Sequence, residues 1–297
     1  MKRRSLLLYS LMFSFGCSTG MNSANHKSHE RVAKTAVDRL KFAVTDVSGL
    51  EDLQRDFETF RTTLSSELGI RIEFFPVANY TAAAPAMLLG KIDIVFAGPS
   101  EYLILKNRAK AIPLVAIQRK QYHSIILVRT DSNIQSLSQL KGKTIAMRKV
   151  GSTSGHIAPI KLLMDAGLDP NKDYKIVMLD DKGVLALHQK EVDAWATASD
   201  RYKNILDTVG LSANNFRIIG TSPLLPSDLF VVSNQLASDL VEDIKNKMLK
   251  NQNKLLSSLL LAKANQKYLG GNFVTVEDSQ YNMIREVYQK IGQGEFL

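Results

Sequence analysis

A chain of 297 residues, 45% of them hydrophobic, carries enough apolar surface for two lobes of ordinary domain size, which excludes an intrinsically disordered chain. Its single cysteine, Cys17, excludes an intramolecular disulfide framework and a thiolate metal cluster. The formal net charge is +9, of which Lys2, Arg3 and Arg4 contribute three, leaving +6 beyond them. The other basic residues are scattered, as in 106–110 and 245–250, and such interrupted runs read as solvated helix faces rather than a nucleic-acid stripe.

Lys2, Arg3 and Arg4, followed by the apolar run 5–15, have the charged and hydrophobic regions of a secretory signal. The run is shorter than the roughly 20 apolar residues that a bilayer span requires. Cys17 comes just after it, behind Gly16, a placement similar to a bacterial lipobox. This predicts a signal peptide over 1–16, acylation of Cys17, and a flexible tether over 17–38, whose stretch 18–34 is polar and patternless. Ser14 and Phe15 depart from the usual residues of a lipobox, and an ordinary signal with an incidental cysteine is the alternative. Either reading predicts export to the cell envelope, and the first adds a lipid anchor in the periplasm.

From Lys41 strand and helix alternate. Residues 41–45 read as a strand, and Leu53, Phe57, Phe60, Leu64 and Leu68 recur at helical spacing up to a stop at Gly69. Strands follow at 70–75, 92–96 and 125–129, with a helix at 82–89 that tolerates Pro85 in its first turn. Then come a strand at 144–148, a helix from about 153 to 166 closed by Gly167, a strand at 175–179, a short helix at 184–189 and a strand at 192–197. This order predicts α/β sheets. A weak internal repeat sharpens it: residues 87–102 and 187–202 both run helix, turn, aspartate (Asp93, Asp193), apolar strand, polar loop and tyrosine (Tyr102, Tyr202). Two lobes of like construction are expected. Ligands of open α/β sheets sit beyond the C-terminal strand ends, so the loops 98–102, with Ser100, and 197–202 are expected to line one cleft.

The densest chemical signal is Gly151-Ser152-Thr153-Ser154-Gly155, between a predicted strand and a predicted helix. Three hydroxyls beside the unpaired N–H groups of a helix start make an anion site without a lysine. Simple helix capping is the alternative, and it needs one hydroxyl.

With these pieces in view, residues 41–232 resemble the phosphonate-binding proteins of ABC importers. The resemblance is carried by Asn79-Tyr80 ahead of the run 88–99, by the loop 151–155, by Lys190-Glu191-Val192-Asp193, and by Ser222-Pro-Leu-Leu-Pro-Ser-Asp228. It implies an α/β, two-lobed periplasmic-binding-protein fold of type II with the ligand cleft between the lobes. Lobe 1 is expected over 39–127 plus 231–297 and lobe 2 over 128–230. It further implies a monomeric receptor, not an enzyme, which needs no cofactor or metal and hands a phosphonate, phosphite or phosphate to an ABC permease. Ser152, Thr153 and Ser154 would bond the oxyanion, with Tyr80 and Tyr122 donating from the other side. Asp200 and Asp228 match positions where the family places acids that meet a ligand ammonium, or a protonated ligand oxygen. The chain departs from the family at Asp180, where a histidine is usual, and at Asp200, where the longer glutamate is common. His156 is a candidate substitute for the missing imidazole, with a solvent-facing place in the first helical turn as the alternative.

Enzyme signatures fail. The loop 151–155 has the outer glycines of a nucleophile elbow but a threonine at its centre. Gly142-Lys143-Thr144 lacks the first glycine of a P-loop, and no metal-ligand spacing is present. Two other functions remain beside the importer receptor: a ligand-sensing partner of an envelope signalling receptor, and a hydrolase using a serine of the loop with His156 as its base.

Overall fold

The structure, a computed structural model, describes residues 37–47 and 49–296. The expected signal peptide, Cys17 and nearly all of the tether lie outside the described residues.

Two sheets organise the chain. In the first, β1 (Arg39–Val44), β2 (Arg71–Phe74) and β3 (Ile94–Ala97) are parallel, while β10 (Asp228–Val232) runs antiparallel to β3 and pairs with β4 (Ile112–Ile117). A short β11 (Phe273–Val274) closes the edge, giving the order β11-β4-β10-β3-β1-β2. In the second, β6 (Thr144–Met147), β7 (Lys175–Met178) and β8 (Ala194–Ala198) are parallel, and β5 (Ser124–Arg129) is antiparallel to β8 and pairs with β9 (Phe216–Thr221). Its order is β7-β6-β8-β5-β9. The two sheets therefore repeat one plan, each taking its antiparallel central strand just after the chain crosses over from the other lobe.

The two repeat aspartates show the likeness at atomic level. The Asp93 carboxylate accepts the Lys41 N–H at 2.7 Å, and the Asp93 N–H donates to the Lys41 carbonyl at 3.0 Å. Asp193 makes the same pair of bonds with Thr144, both at 2.9 Å. The turns before them share a left-handed residue, Gly90 and Lys190. Each aspartate thus pins the strand it starts to its parallel neighbour.

Strand alternation sorts the cores. Leu40, Phe42, Ile94, Phe96, Phe230 and Val232 face α1 (Leu50–Leu68), α7 (Ser238–Lys250) and α8 (Gln252–Leu259), while Ala43, Val95, Leu229 and Val231 face the opposite way. That second cluster continues into the other lobe through Ile126, Val128, Ile145 and Met147, and through α4 (Ala158–Asp165) and α9 (Asn282–Lys290). The chain's only tryptophan, Trp195, is fully buried under α5 (Gly183–His188) and α6 (Ser199–Val209).

Two expectations are corrected. The lobe divisions at 127/128 and 230/231 cut through β5 and β10; the crossings fall instead at about 118–123 and 222–227, because each crossing strand belongs wholly to the sheet it enters. The polar loops of the repeat are also helix starts: α3 (Pro99–Ala109) and α6 begin there, α3 with Pro99 at the first helical position, where its missing N–H costs nothing. Their first turns reach the cleft, but Tyr102 and Tyr202 do not. Tyr102 is buried against Tyr281 and donates to Asp278 at 2.9 Å, and Tyr202 lies against Trp195.

Candidate ligand-binding site

A cavity of about 950 Å³ opens where the C-terminal strand ends of both sheets meet. The loop 151–155 enters it from lobe 2. Gly151 takes a left-handed φ of 85°, turning the chain so that Ser152, Thr153 and Ser154, all buried, line the cavity at the start of a helical run that continues into α4. The first N–H groups of such a run have no intrahelical acceptor. Gly155 is required for another reason: a Cβ there would fall 2.4 Å from Cγ of Arg148, whose side chain crosses directly over it.

The other lobe closes onto this loop. Thr153 Oγ1 accepts the Ser100 N–H at 3.2 Å and lies 2.9 Å from the Ser100 hydroxyl, which donates to the Gly151 carbonyl. Tyr122, on the first crossing, lines the cavity with Ser154. Tyr80 faces them from lobe 1, its phenol donating to Asp46 at 3.0 Å.

Charge is handled in pairs. Arg119, only 5% exposed, donates through Nε to Asp200 Oδ2 at 2.9 Å and through Nη1 to Asp228 Oδ2 at 3.3 Å. Its guanidinium carbon sits 3.4 Å over the Tyr122 ring, and Tyr268 donates to the same Asp228 oxygen at 2.5 Å. Burial works against its charge, but Asp228, Tyr122 and Asp200 outweigh it and keep Arg119 cationic. Arg148 is likewise buried and stays cationic beside Asp181, Asp46 and Asp180; its Nε meets Asp180 at 2.9 Å and Asp181 at 3.1 Å. Asp180 sits in the left-handed region, with φ 50°, which a short polar side chain tolerates. Burial alone would raise Asp46, but Lys267, Arg201 and Arg148 hold it far below the carboxylate range. Glu101, 5% exposed, has no such partner, and burial first, then the charges of Asp46 and Asp228, push it up to about 8. It is protonated at neutral pH. Eight carboxyl and eight basic residues line the cavity, so the proton on Glu101 leaves the wall with one excess positive charge.

Of the ten predicted ligand contacts, Tyr80, Tyr122, Ser152, Thr153, Ser154, Asp180, Asp200 and Asp228 line the cavity. Ser100 and His156 do not. Ser100 is fully buried in the contact between lobes, and His156 turns inward, 4% exposed, where its Nδ1 accepts the Gly151 N–H at 3.2 Å. Burial lowers it to about 4, so it is neutral and holds the loop's shape. Asp180, where the chain departs from the family's usual histidine, is paired with Arg148, which neutralises that acid. Sequence reasoning missed Arg119, Arg148, Glu101 and Tyr268, and the usable signal was that Asp200 and Asp228 in a cleft demand a counter-charge. Among the described residues no cluster of three His, Cys, Asp or Glu is placed to hold a metal ion, and no helix is long and apolar enough to cross a membrane.

Two like-built α/β lobes, joined by two crossings and enclosing a polar cleft, define a periplasmic binding protein of type II. The chain belongs to the family described as "ABC transporter, phosphonate, periplasmic substrate-binding protein", which matches residues 42–281. It is 23% identical over 248 residues to the phosphate-import protein PhnD of Mycolicibacterium smegmatis, covering 78% of this chain and 77% of that one. It is 23% identical over 258 residues, 81% of this chain and 86% of the other, to the probable ABC transporter phosphite binding protein PhnD1 of Prochlorococcus marinus. The structure of that protein with methylphosphonate matches at TM-score 0.66 over 86% of this chain and 99% of the other. XAC2383 from Xanthomonas citri, bound to ATP, shares the fold at TM-score 0.72 and 17% identity over 87% of this chain and 98% of that one. The family is one of exported, periplasmic receptors that serve ABC transporters.

Proposed function

We propose that this receptor captures a small phosphorus oxyanion, a phosphonate, phosphite or phosphate, and presents it to an ABC permease. The observation that carries this reading is the Ser152-Thr153-Ser154 turn, buried at a helix start and facing the inner end of the cleft. Hydroxyls and backbone N–H groups there offer donors to an anion, each such bond to a charged ligand contributing about 1.5–3 kcal/mol. Arg119 and Arg148 offset acids of the wall that would otherwise repel an anion, and Ser100 meets Thr153 where the lobes touch. The binding residues in this reading are Tyr80, Tyr122, Ser152, Thr153 and Ser154. The receptor acts as a monomer, held to the membrane by a lipid on Cys17.

Calorimetric titration with methylphosphonate, phosphite and phosphate tests the ligand class: saturable heat with at least one of them is expected, and no heat with any would refute it. Mass spectrometry of protein from a bacterial membrane fraction tests the anchor, an unmodified Cys17 counting against it. The hydrolase reading loses its base, because His156 spends Nδ1 on the Gly151 N–H.

A further inference from the structure

At the inner end of the cleft two carboxylates from different lobes converge, Asp200 at the start of α6 and Asp228 at the start of β10. Such a pair attracts a cation. A ligand carrying an ammonium group beside its oxyanion could supply one, but the chain supplies its own. Arg119 reaches both acids from the first crossing, bonding Asp200 Oδ2 through Nε and Nη2 and Asp228 Oδ2 through Nη1. The Tyr122 ring lies under the guanidinium and holds it flat, and Tyr268 takes the same Asp228 oxygen. Asp200 Oδ2 is taken by Arg119, and Oδ1, without a partner, is buried from solvent. The side chains of Arg119, Asp200 and Asp228 are 4%, 10% and 8% exposed, which leaves this counter-ion part of the wall rather than a mobile surface group.

The geometry points to Arg119 as the specificity-determining residue of this site: an internal cation that fills the acid pair and confines the receptor to oxyanions lacking an ammonium. The inference rests on the oxyanion reading above. A second cation brought to this end of the cleft meets a guanidinium within contact range and acids already bonded, in an interior where charge is poorly screened. Removing the guanidinium leaves two buried carboxylates with a cavity between them, a site suited to an ammonium group.

Calorimetry of the wild type, Arg119→Ala and Arg119→Lys against methylphosphonate and 2-aminoethylphosphonate tests it. The wild type is expected to prefer methylphosphonate by about tenfold or more, the size of one charged hydrogen bond. Arg119→Ala should shift that ratio toward the amino ligand by about tenfold or more on the same scale, and Arg119→Lys, which keeps an internal ammonium, should retain the wild-type order. A wild type that binds 2-aminoethylphosphonate as tightly as methylphosphonate overturns the inference, whether or not Arg119→Ala folds, and so does an unchanged ratio in a folded Arg119→Ala protein. Binding of methylphosphonate with no discrimination refutes Arg119 alone. Binding of neither ligand, nor of phosphite or phosphate, refutes the oxyanion reading and this inference with it.

Discussion

Glu101→Gln should remove a pH-dependent load from the folded state. The native carboxyl is raised from 4.5 to about 8, because its burial between the α3 start and the cleft strips it of water and Asp46 and Asp228 lie nearby. In the unfolded chain it ionises at its ordinary value. Between these two values the native state holds a proton that the unfolded state has released, so stability falls as pH rises, by about 1.4 kcal/mol per unit. The accumulated loss is about 3 kcal/mol at pH 7 and about 5 kcal/mol once the native carboxyl has ionised. Glutamine makes similar hydrogen bonds and does not titrate. Urea unfolding of both proteins at pH 5, 6, 7, 8 and 9, followed by the fluorescence of the buried Trp195, gives the difference free of other titrating groups. The advantage of the glutamine variant should grow steadily from pH 5 to 8 and then level off. Parallel stability curves would show that Glu101 ionises alike in both states and would refute the reasoning.

Thr153→Val removes the acceptor of the buried Ser100 N–H, a loss of about 1–3 kcal/mol. The lobes relieve it by parting, so anion affinity should fall roughly five- to hundredfold on the same scale, with thermal unfolding nearly unchanged; calorimetry and small-angle scattering check the two halves. Gly155→Ala would place a methyl group against Arg148 and uncover Asp180 and Asp181 at the cleft, which should weaken anion binding about tenfold or more and be read by the same titration. His156→Gln should show the opposite pH sign to Glu101. Native His156 is lowered from 6.5 to about 4, so as pH falls through that window the wild type should lose about 3 kcal/mol in total relative to the variant. Urea midpoints at pH 4.5 and 7 check it.

The fold was legible because it is written in local patterns. Phe57, Phe60, Leu64 and Leu68 mark α1 by spacing alone, and Asp93 and Asp193 mark equivalent turns because each performs the same two-bond task at the start of a parallel strand. The Ser-Thr-Ser turn was legible for a similar reason: its hydroxyls, its glycines and the helix that follows are neighbours in the chain. Arg119 was not. Gln118-Arg119-Lys120 carries no local signal of burial, which comes from acids 81 and 109 positions away. Arg148 and Glu101 share that history. A charged residue at a strand end or helix start is ordinarily solvated, and only the meeting of two lobes converts it into a buried partner. His156 failed in the other direction, since the bulged turn after Ser152 carries its ring inward, away from both of the places expected for it.

The repeat explains why the legible and hidden parts divide in this way. Aligning Asp93 with Asp193 sets Ser100 opposite Asp200 and Glu101 opposite Arg201, so the first turns of α3 and α6 occupy equivalent places in the two lobes with unlike chemistry. In lobe 1 the Ser100 hydroxyl closes onto the Ser-Thr-Ser loop, and Glu101 beside it lines the cleft. In lobe 2 an acid receives Arg119, and Arg201 reaches Asp181 at 3.3 Å and, across the cleft, Asp46 at 4.0 Å. Had the lobes kept matching residues there, like charges would face one another over a shared cavity and oppose closure. The departures in the first turns of α3 and α6 let the two halves complement each other, and they fall at the lobe contact and the cleft. The shared aspartates hold the strands in register, while the unlike first turns of α3 and α6 set the charge that faces the cleft.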